Sequence, residues 1–492
     1  MSGGVGEYPR LEREDIPIGF PALPDPVSAA RFVLLRTWLE WCNTTHACNQ
    51  QDVRSQGASP TRLIYVGHAN LEVLRLYVPQ KKECVEYTAL SHCWGNEPPS
   101  EGDPRYCTTD GNISARLNRF SLSELPKTFQ DAVRVTRELG IEYLWIDSLC
   151  IIQWNAEDWE CEAGRMEDVF ASAYCTIAAT SAVDSNAGFL TRNISTEYVR
   201  VQDAAGNQVY ICSHIDDFEK DVEQARLNKR AWVMQERVLA KRTIHFSADQ
   251  TYWECGEGVY CENLTKMESS PRKSYFLLDP SFPDRLIEAG SRRTVEFIHF
   301  LFENYSKRGL TKDTDRCVAV SGYGIFQEHL HQNLLWQASD SNTKRIMYDE
   351  DRQVPSWSWM ACSGGIRFME VEIGSVSWVT ALAFDAERDS SALIADVGKF
   401  QYFTLKPDGD RHTVFNFFGR AKGWIQYDVV SGESGHGDYC VVIGRREDSI
   451  GKKHYYILVV VPTSEDREYT RIGVGMVRTS CVKRLRASVR IV

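Results

Sequence analysis

In the stretch Ala30–Cys42, apolar residues fall at positions 32, 35, 38, 39 and 42, three and four apart. That spacing is one buried face of a helix. Short strands are expected at Arg62–Val66 and Val73–Val78. From about residue 86 to 260 the pattern alternates. Tyr87–Ser91 is a short apolar strand ending in a turn at Gly95, and a loop with Pro98, Pro99 and Pro104 follows. Pro126 then sits in the first turn of a helix with apolar positions Phe129, Ala132, Val133 and Leu139, and Gly140 stands where a C-cap needs a left-handed residue. Ile141–Ile146 is a near-continuous apolar run, the mark of a strand covered on both faces. Trp159–Ala173 reads as a helix and Tyr174–Ala179 as another buried strand. This rhythm predicts an α/β fold: a doubly wound parallel sheet in which Tyr87–Ser91, Ile141–Ile146 and Cys175–Ala179 are neighbours, with helices on both faces.

The flanks read differently. Residues 1–28 hold Pro9, Pro17, Pro21, Pro24 and Pro26 and are expected to form an extended N-terminal arm; 29–85 carry the first helix and short strands. Residues 261–354 are expected to be a mainly helical middle segment, clearest at Thr294–Glu303. From 355 to 492 the chain turns β-rich, at Val376–Leu382, His412–Phe418, Tyr455–Pro462 and Arg471–Val477. Turns rich in Gly, Asp, Ser and Lys separate these runs, predicting an antiparallel C-terminal domain. Trp357 and Trp359 need a large apolar surface, so this domain is expected to pack against the 86–260 core.

Composition narrows the class. Hydrophobic residues at 43% and charged residues at 25% are ordinary for globular proteins, and 492 residues allow two to four domains. A net charge of −11 argues against a general nucleic-acid or membrane-surface binder. No apolar run approaches the ~18 residues of a membrane span. The N-terminus has neither a basic nor an apolar region of a secretory signal. Fifteen cysteines without such a signal read as reduced thiols of a cytoplasmic protein.

Candidate chemistry gathers at the carboxyl ends of the predicted strands, where open α/β sheets bind ligands. Ser91, His92 and Trp94 follow the first strand, and Asp147 follows the second. On the predicted helix from Trp159, one face reads Trp159, Glu162, Met166, Val169 and Ala173. Glu162 is thus a carboxylate in an apolar stripe, either a catalytic acid with its charged form desolvated or half of a buried ion pair with Arg137 or Arg230. Arg230, Gln235, Glu236 and Arg237 surround Trp232. Arg230 suits a phosphate, and the same residues also suit intrahelical ion pairs. Cys42, His46 and Cys48 have the residue types of a zinc site but number three, with Cys84 the nearest spare. A helix-end cluster packed on the core is the favoured reading, with no metal and no permanently bound cofactor. There is no P-loop and no Gly-x-Ser-x-Gly elbow.

Three blocks carry a resemblance: Tyr87-Thr-Ala-Leu-Ser-His-Cys-Trp-Gly95, then Leu125–Val133 through Tyr143–Gln153, then Arg230-Ala-Trp-Val-Met-Gln-Glu-Arg237. In order and spacing they resemble the heterokaryon-incompatibility (HET) domain of filamentous fungi. Further similarity runs from about residue 31 to 380, through Trp253-Glu-Cys255, Tyr305–Thr311 and Pro355-Ser-Trp-Ser-Trp359. The resemblance implies a role in self/non-self recognition and programmed cell death, a form of fungal innate immunity. The chain departs from the family in two places: Trp154-Asn155 replace two acidic residues, and Ala231 stands where the family has Gly. The HET core is in turn similar to the Toll/interleukin-1 receptor (TIR) fold, a flavodoxin-like sheet. Trp159 and Glu162 resemble the TIR Trp and catalytic Glu, though three apart instead of four. That likeness implies an NADase, cleaving the nicotinamide–ribose bond of NAD as substrate. Glu162 would be catalytic, and Ser91, His92, Trp94, Asp147, Trp159 and Arg230 would line the pocket. A non-catalytic signalling scaffold is the competing reading. Expected partners are a second copy of the chain and a protein that triggers incompatibility.

Overall fold

Ser28 accepts a hydrogen bond from the Arg31 amide and so caps helix α1, Ala29–Thr45. Its buried residues include Phe32, Leu35, Trp38, Leu39 and Cys42, the apolar face read from the sequence. The computed structural model describes residues 28–46, 48, 59–68, 71–81, 83–95, 105–192, 198–202, 206, 208–212, 217–267, 291–317, 329–340, 342–348, 354–371, 374–385, 389–401, 403–429 and 438–492. The expected N-terminal arm, except Ser28, and the loop with Pro98, Pro99 and Pro104 lie outside the described residues. The chain divides into two units: residues 1–229 with 235–282, and residues 230–234 with 283–492.

The first unit is built on a ten-stranded mixed sheet. Its strands are β1 Leu63–Tyr65, β2 Val73–Tyr77, β3 Thr88–Ser91, β4 Phe120–Ser121, β5 Tyr143–Trp145 and β6 Cys175–Ala178. A separate hairpin pairs β7 Tyr198–Gln202 with β8 Gln208–Cys212. The sheet continues with β9 Arg242–Phe246, β10 Thr251–Cys255, β11 Gly258–Cys261 and β12 Lys266–Met267. Its order is β12-β11-β10-β9-β6-β3-β5-β1-β2-β4. The central pairs β5–β3, β3–β6 and β6–β9 are parallel, so the three strands expected to be neighbours are neighbours. Both wings are antiparallel. All four residues of β3 and of β6 are buried, as the continuous apolar runs require.

The intervening helices are α2 Ile113–Asn118, α3 Lys127–Glu138, α4 Asp147–Cys150, α5 Ala156–Ala163, α6 Met166–Ser172 and α7 Ala231–Leu239. Gly140 follows α3 at φ +82°, the left-handed position anticipated for it. The helix expected over 159–173 is two helices that break at Gly164 and Arg165, where the Arg165 amide bonds the Glu162 carbonyl. Glycine propagates a helix poorly, and the tightened turn re-aims the second half. Tyr87 Oη then ties α6 down, donating to the Val169 carbonyl at 2.6 Å.

In the second unit, helix α8 spans Ser291–Ser306. A two-stranded sheet, β13 Trp336–Ala338 with β14 Ile366–Phe368, is followed by strands from β15 Val376–Trp378 and β16 Ala383–Asp385 onward. The longer ones are β17 Asp389–Phe400, β18 Phe403–Asp408, β19 Arg411–Asn416, β20 Ala421–Tyr427, β21 Tyr439–Glu447, β22 Lys453–Pro462, β23 Glu468–Arg478 and β24 Val482–Ile491. β17, β24, β23, β22 and β21 each pair with the next and β21 pairs back with β17, closing a five-stranded ring. All these pairs are antiparallel except β23–β24. Alternate residues serve two cores: Val441 and Ile443 join one, Cys440 and Val442 the other. Gly475 is required where β23 meets β20, since a Cβ there would lie 2.4 Å from the Trp424 carbonyl oxygen. Trp357 and Trp359 are buried in this unit.

Arg471 is the polar centre of the second unit and is wholly buried. It donates to both Asp428 oxygens at 3.1 Å and to the Leu334 and Trp336 carbonyls at 2.7 Å. Its guanidinium lies over the Trp336 ring, 3.7 Å from the centroid. Every contact is one that a planar, five-donor cation makes and an ammonium would make less completely.

Candidate functional site

Across the first unit's sheet the parallel strands run β5-β3-β6-β9. The strand after β3 in this parallel set lies on one side of it and the next lies on the other. The carboxyl end of β3 is therefore a topological switch point, where loops diverge and leave a crevice.

Ser91 ends β3, and its carbonyl accepts from the Ala179 amide at 2.9 Å. Its hydroxyl donates to Glu236 Oε2 on α7. Both residues are buried, Glu236 with 7% exposure. A carboxylate is thus held at the switch point by a hydroxyl from the strand end. Two residues beyond Ser91, Cys93 is buried, and Gly95 turns the chain at φ +116°.

Asp147, the first residue of α4, accepts from Trp94 Nε1 at 2.9 Å on one oxygen. The other oxygen accepts from the Ser148 amide at 2.7 Å and lies 3.7 Å from His92 Nδ1. The His92 and Trp94 rings are near parallel, with centroids 6.5 Å apart, and Phe129 meets His92 edge-on at 5.0 Å. His92 is buried, whereas the Asp147 side chain keeps 26% exposure and can be reached from solvent. Ser91, His92, Trp94 and Asp147 therefore come together, with Glu236 joined through Ser91.

Glu162 is placed otherwise. It lies on α5 at 2% exposure; its Oε1 is 4.0 Å from Arg165 Nη1, and that oxygen has no hydrogen-bond partner among the described residues. Arg165 itself donates to the Ser59 carbonyl at 2.9 Å. Trp159 is half-buried on the same helix. Among the described residues Glu162 makes no hydrogen bond or ion pair with Ser91, His92, Trp94 or Asp147. Arg137, weighed as a partner for Glu162, donates instead to the carbonyls of Val66 and Leu71. Arg230 belongs to the second unit, where it bridges Gly309.

Arg237, next to Glu236, is a structural cation. It bonds Glu254 at 2.7 and 2.9 Å and Glu223 at 2.8 Å. Burial would raise the Glu254 carboxyl, but Arg237 and then His245, 2.7 Å away, overcome it and hold the group at about 2. Glu236 was legible only as one member of a charged helix. The signal that singles it out is the spacing Trp232-x-x-x-Glu236, four residues, together with a hydroxyl at the end of the first parallel strand.

A cavity of about 880 Å³ also opens in this unit, lined by Arg105, Arg116, Arg119 and Lys127 against one carboxylate, Glu124. None of Ser91, His92, Trp94, Asp147, Trp159, Glu162 or Glu236 lines it.

Among the described residues no helix is long and apolar enough to cross a membrane. No curated protein and no solved structure matches the chain. Residues 87–236 match the sequence model of the family described as Heterokaryon incompatibility protein (HET). That match begins just before β3, takes in the Asp147 and Trp94 pair, and ends on Glu236, so the segment 87–236 of this chain is a HET domain.

Proposed function

We propose that this protein acts in the cell-death response of heterokaryon incompatibility, and that its HET domain does so by hydrolysing the nicotinamide–ribose bond of NAD. The observation that carries the reading is the Ser91–Glu236 pair at the carboxyl end of β3. A strand order of β5-β3-β6-β9 is that of flavodoxin-like sheets, and it supports the likeness to the TIR fold. The TIR Trp-to-Glu spacing of four is met by Trp232 and Glu236 on α7, where Trp159 and Glu162 stand three apart. Glu236 is therefore the preferred carboxylate and Glu162 the alternative.

The chemistry asks little of the protein. The C–N bond breaks, nicotinamide leaves with the electron pair as a neutral molecule, and positive charge develops on the ribosyl carbon. The Glu236 carboxylate stabilises that charge, as carboxylates do for oxocarbenium-like centres. Water adds to the same carbon and loses a proton to solvent, giving ADP-ribose. Ser91 orients the carboxylate, and Trp94, pinned by Asp147, offers a ring face to a planar base.

The test is nicotinamide release from NAD by the purified full-length chain, its Glu236→Gln and its Glu162→Gln variants. Release that is lost in Glu236→Gln and kept in Glu162→Gln supports the reading. The reverse pattern moves the catalytic role to Glu162. If the unaltered protein kills cells yet releases no nicotinamide, the enzyme reading fails and a signalling scaffold takes its place.

A further inference from the structure

Helix α1 lies along strand β10 in a repeating register. Thr251, Trp253 and Cys255 alternate onto one face of the strand. Arg31 donates to Thr251 Oγ1, the Trp38 and Trp253 rings stand 6.3 Å apart, and Cys42 reaches Cys255. At the end of the helix, four donor atoms converge: the sulfurs of Cys42, Cys48 and Cys255 and a ring nitrogen of His46, all within 4.8 Å of one another. Cys255 Sγ is 3.4 Å from His46 Nδ1. The three cysteines are buried and His46 is half-buried.

We propose that Cys42, His46, Cys48 and Cys255 form a structural zinc site that fastens the C-terminal end of α1 to the end of β10. A tetrahedral zinc with sulfur ligands at about 2.3 Å and nitrogen at about 2.1 Å has ligand–ligand edges of roughly 3.5–3.8 Å. The observed Cys255–His46 separation of 3.4 Å is close to such an edge, and the other pairs, all within 4.8 Å, are at most about 1 Å too long for one. Three thiolates and one imidazole are soft and borderline donors, which select zinc over magnesium or calcium. With four protein ligands the site is closed, so its role is stability and not catalysis.

The surroundings orient the ligands. Trp41 packs edge-on against the His46 ring at 4.3 Å and against Tyr260 of β11 at 4.9 Å. Asn43, one residue after Cys42, donates to Tyr174 Oη at 3.0 Å and accepts from Arg242 of β9. These contacts hold the helix end over the sheet and leave Nδ1 of His46 directed at Cys255. Three ligands lie within one short segment and the fourth is 209 positions from His46, so the metal would close a very long loop.

The test uses the full-length chain purified without chelator, with its zinc counted against protein. One zinc per chain is expected, lost in Cys255→Ser and in His46→Ala and kept in Cys84→Ser, an exposed cysteine outside the cluster. Should the first two variants fail to fold, zinc-edge X-ray absorption of the unaltered protein reads the same site, as three sulfurs and one nitrogen. Chelation should also lower the thermal midpoint. Protein that neither carries zinc nor takes it up when supplied overturns the proposal. So does a zinc shell without three sulfurs, zinc retained by both ligand variants, or a disulfide among Cys42, Cys48 and Cys255.

Discussion

Ser91 and Glu236 stand 145 positions apart in the chain and share a buried hydrogen bond, the hydroxyl donating to the carboxylate. The bond joins the first and last blocks of the HET segment at one point of the sheet. Replacing Ser91 with Ala leaves the carboxylate one donor short in a buried setting. We expect a loss of about 1.5–3 kcal/mol in stability, read by urea unfolding, because hydrogen bonds to charged groups are worth that much. Unchanged stability would mean that the pair is not formed in solution.

Glu236→Gln keeps the shape and removes the charge. If the carboxylate stabilises the ribosyl centre, nicotinamide release should fall at least about a hundredfold while the unfolding midpoint moves little. A variant that retains most of its activity would remove Glu236 from the chemistry.

Trp94→Phe should act on binding. The indole is held by Asp147, and a smaller ring without the N–H would lose both that anchor and stacking area. An aromatic contact worth about 0.5–1.5 kcal/mol corresponds to a KM for NAD raised roughly two- to tenfold with kcat nearly constant. A fall confined to kcat would place Trp94 elsewhere in the reaction.

Arg471→Met should destabilise the second unit by about 3–5 kcal/mol, because it removes both hydrogen bonds from the buried Asp428 carboxylate, leaving it Arg345 at 3.7 Å, and strands two carbonyls. Arg471→Met combined with Asp428→Leu should recover part of that loss. A double variant no better than the single one would show that the carbonyl contacts, not the ion pair, dominate.

His299 sets a pH dependence. It stacks on Phe368 at 3.8 Å and bonds Asn333 at 3.1 Å, and burial lowers its pKa from 6.5 to about 4. The unfolded chain therefore binds the proton more readily. Stability from this residue is fully present above pH 6.5 and is lost as pH falls toward about 4, by up to about 3 kcal/mol. His299→Phe should flatten that part of the pH–stability curve. A curve of unchanged slope would show that His299 titrates normally.

Much of the fold could be read from spacing. The buried face of α1 follows from apolar positions three and four apart, the parallel neighbours β3, β5 and β6 from short continuous apolar runs alternating with helices, and the β-rich 355–492 region from strand-like runs between turns. The break at Gly164 was missed because the apolar stripe continues across it: Glu162, Met166, Val169 and Ala173 are all buried on either side. The Ser91–Glu236 bond and the meeting of Cys255 with Cys42, His46 and Cys48 both span long loops. Local periodicity carries no information about such pairs, since only the folded sheet brings them together.

The strand ring of the second unit has a consequence for synthesis. β24 fills the gap between β17 and β23, and it is the last of the five strands to leave the ribosome. Until residues 482–491 emerge, β17 presents an open edge of unpaired amides and carbonyls along Leu393–Phe400, and β23 lacks its partner at Glu468 and Tyr469. The nascent chain is then a template for strand addition from its neighbours on the same message, and crowding of polysomes, not heat, is the condition under which this protein should aggregate first.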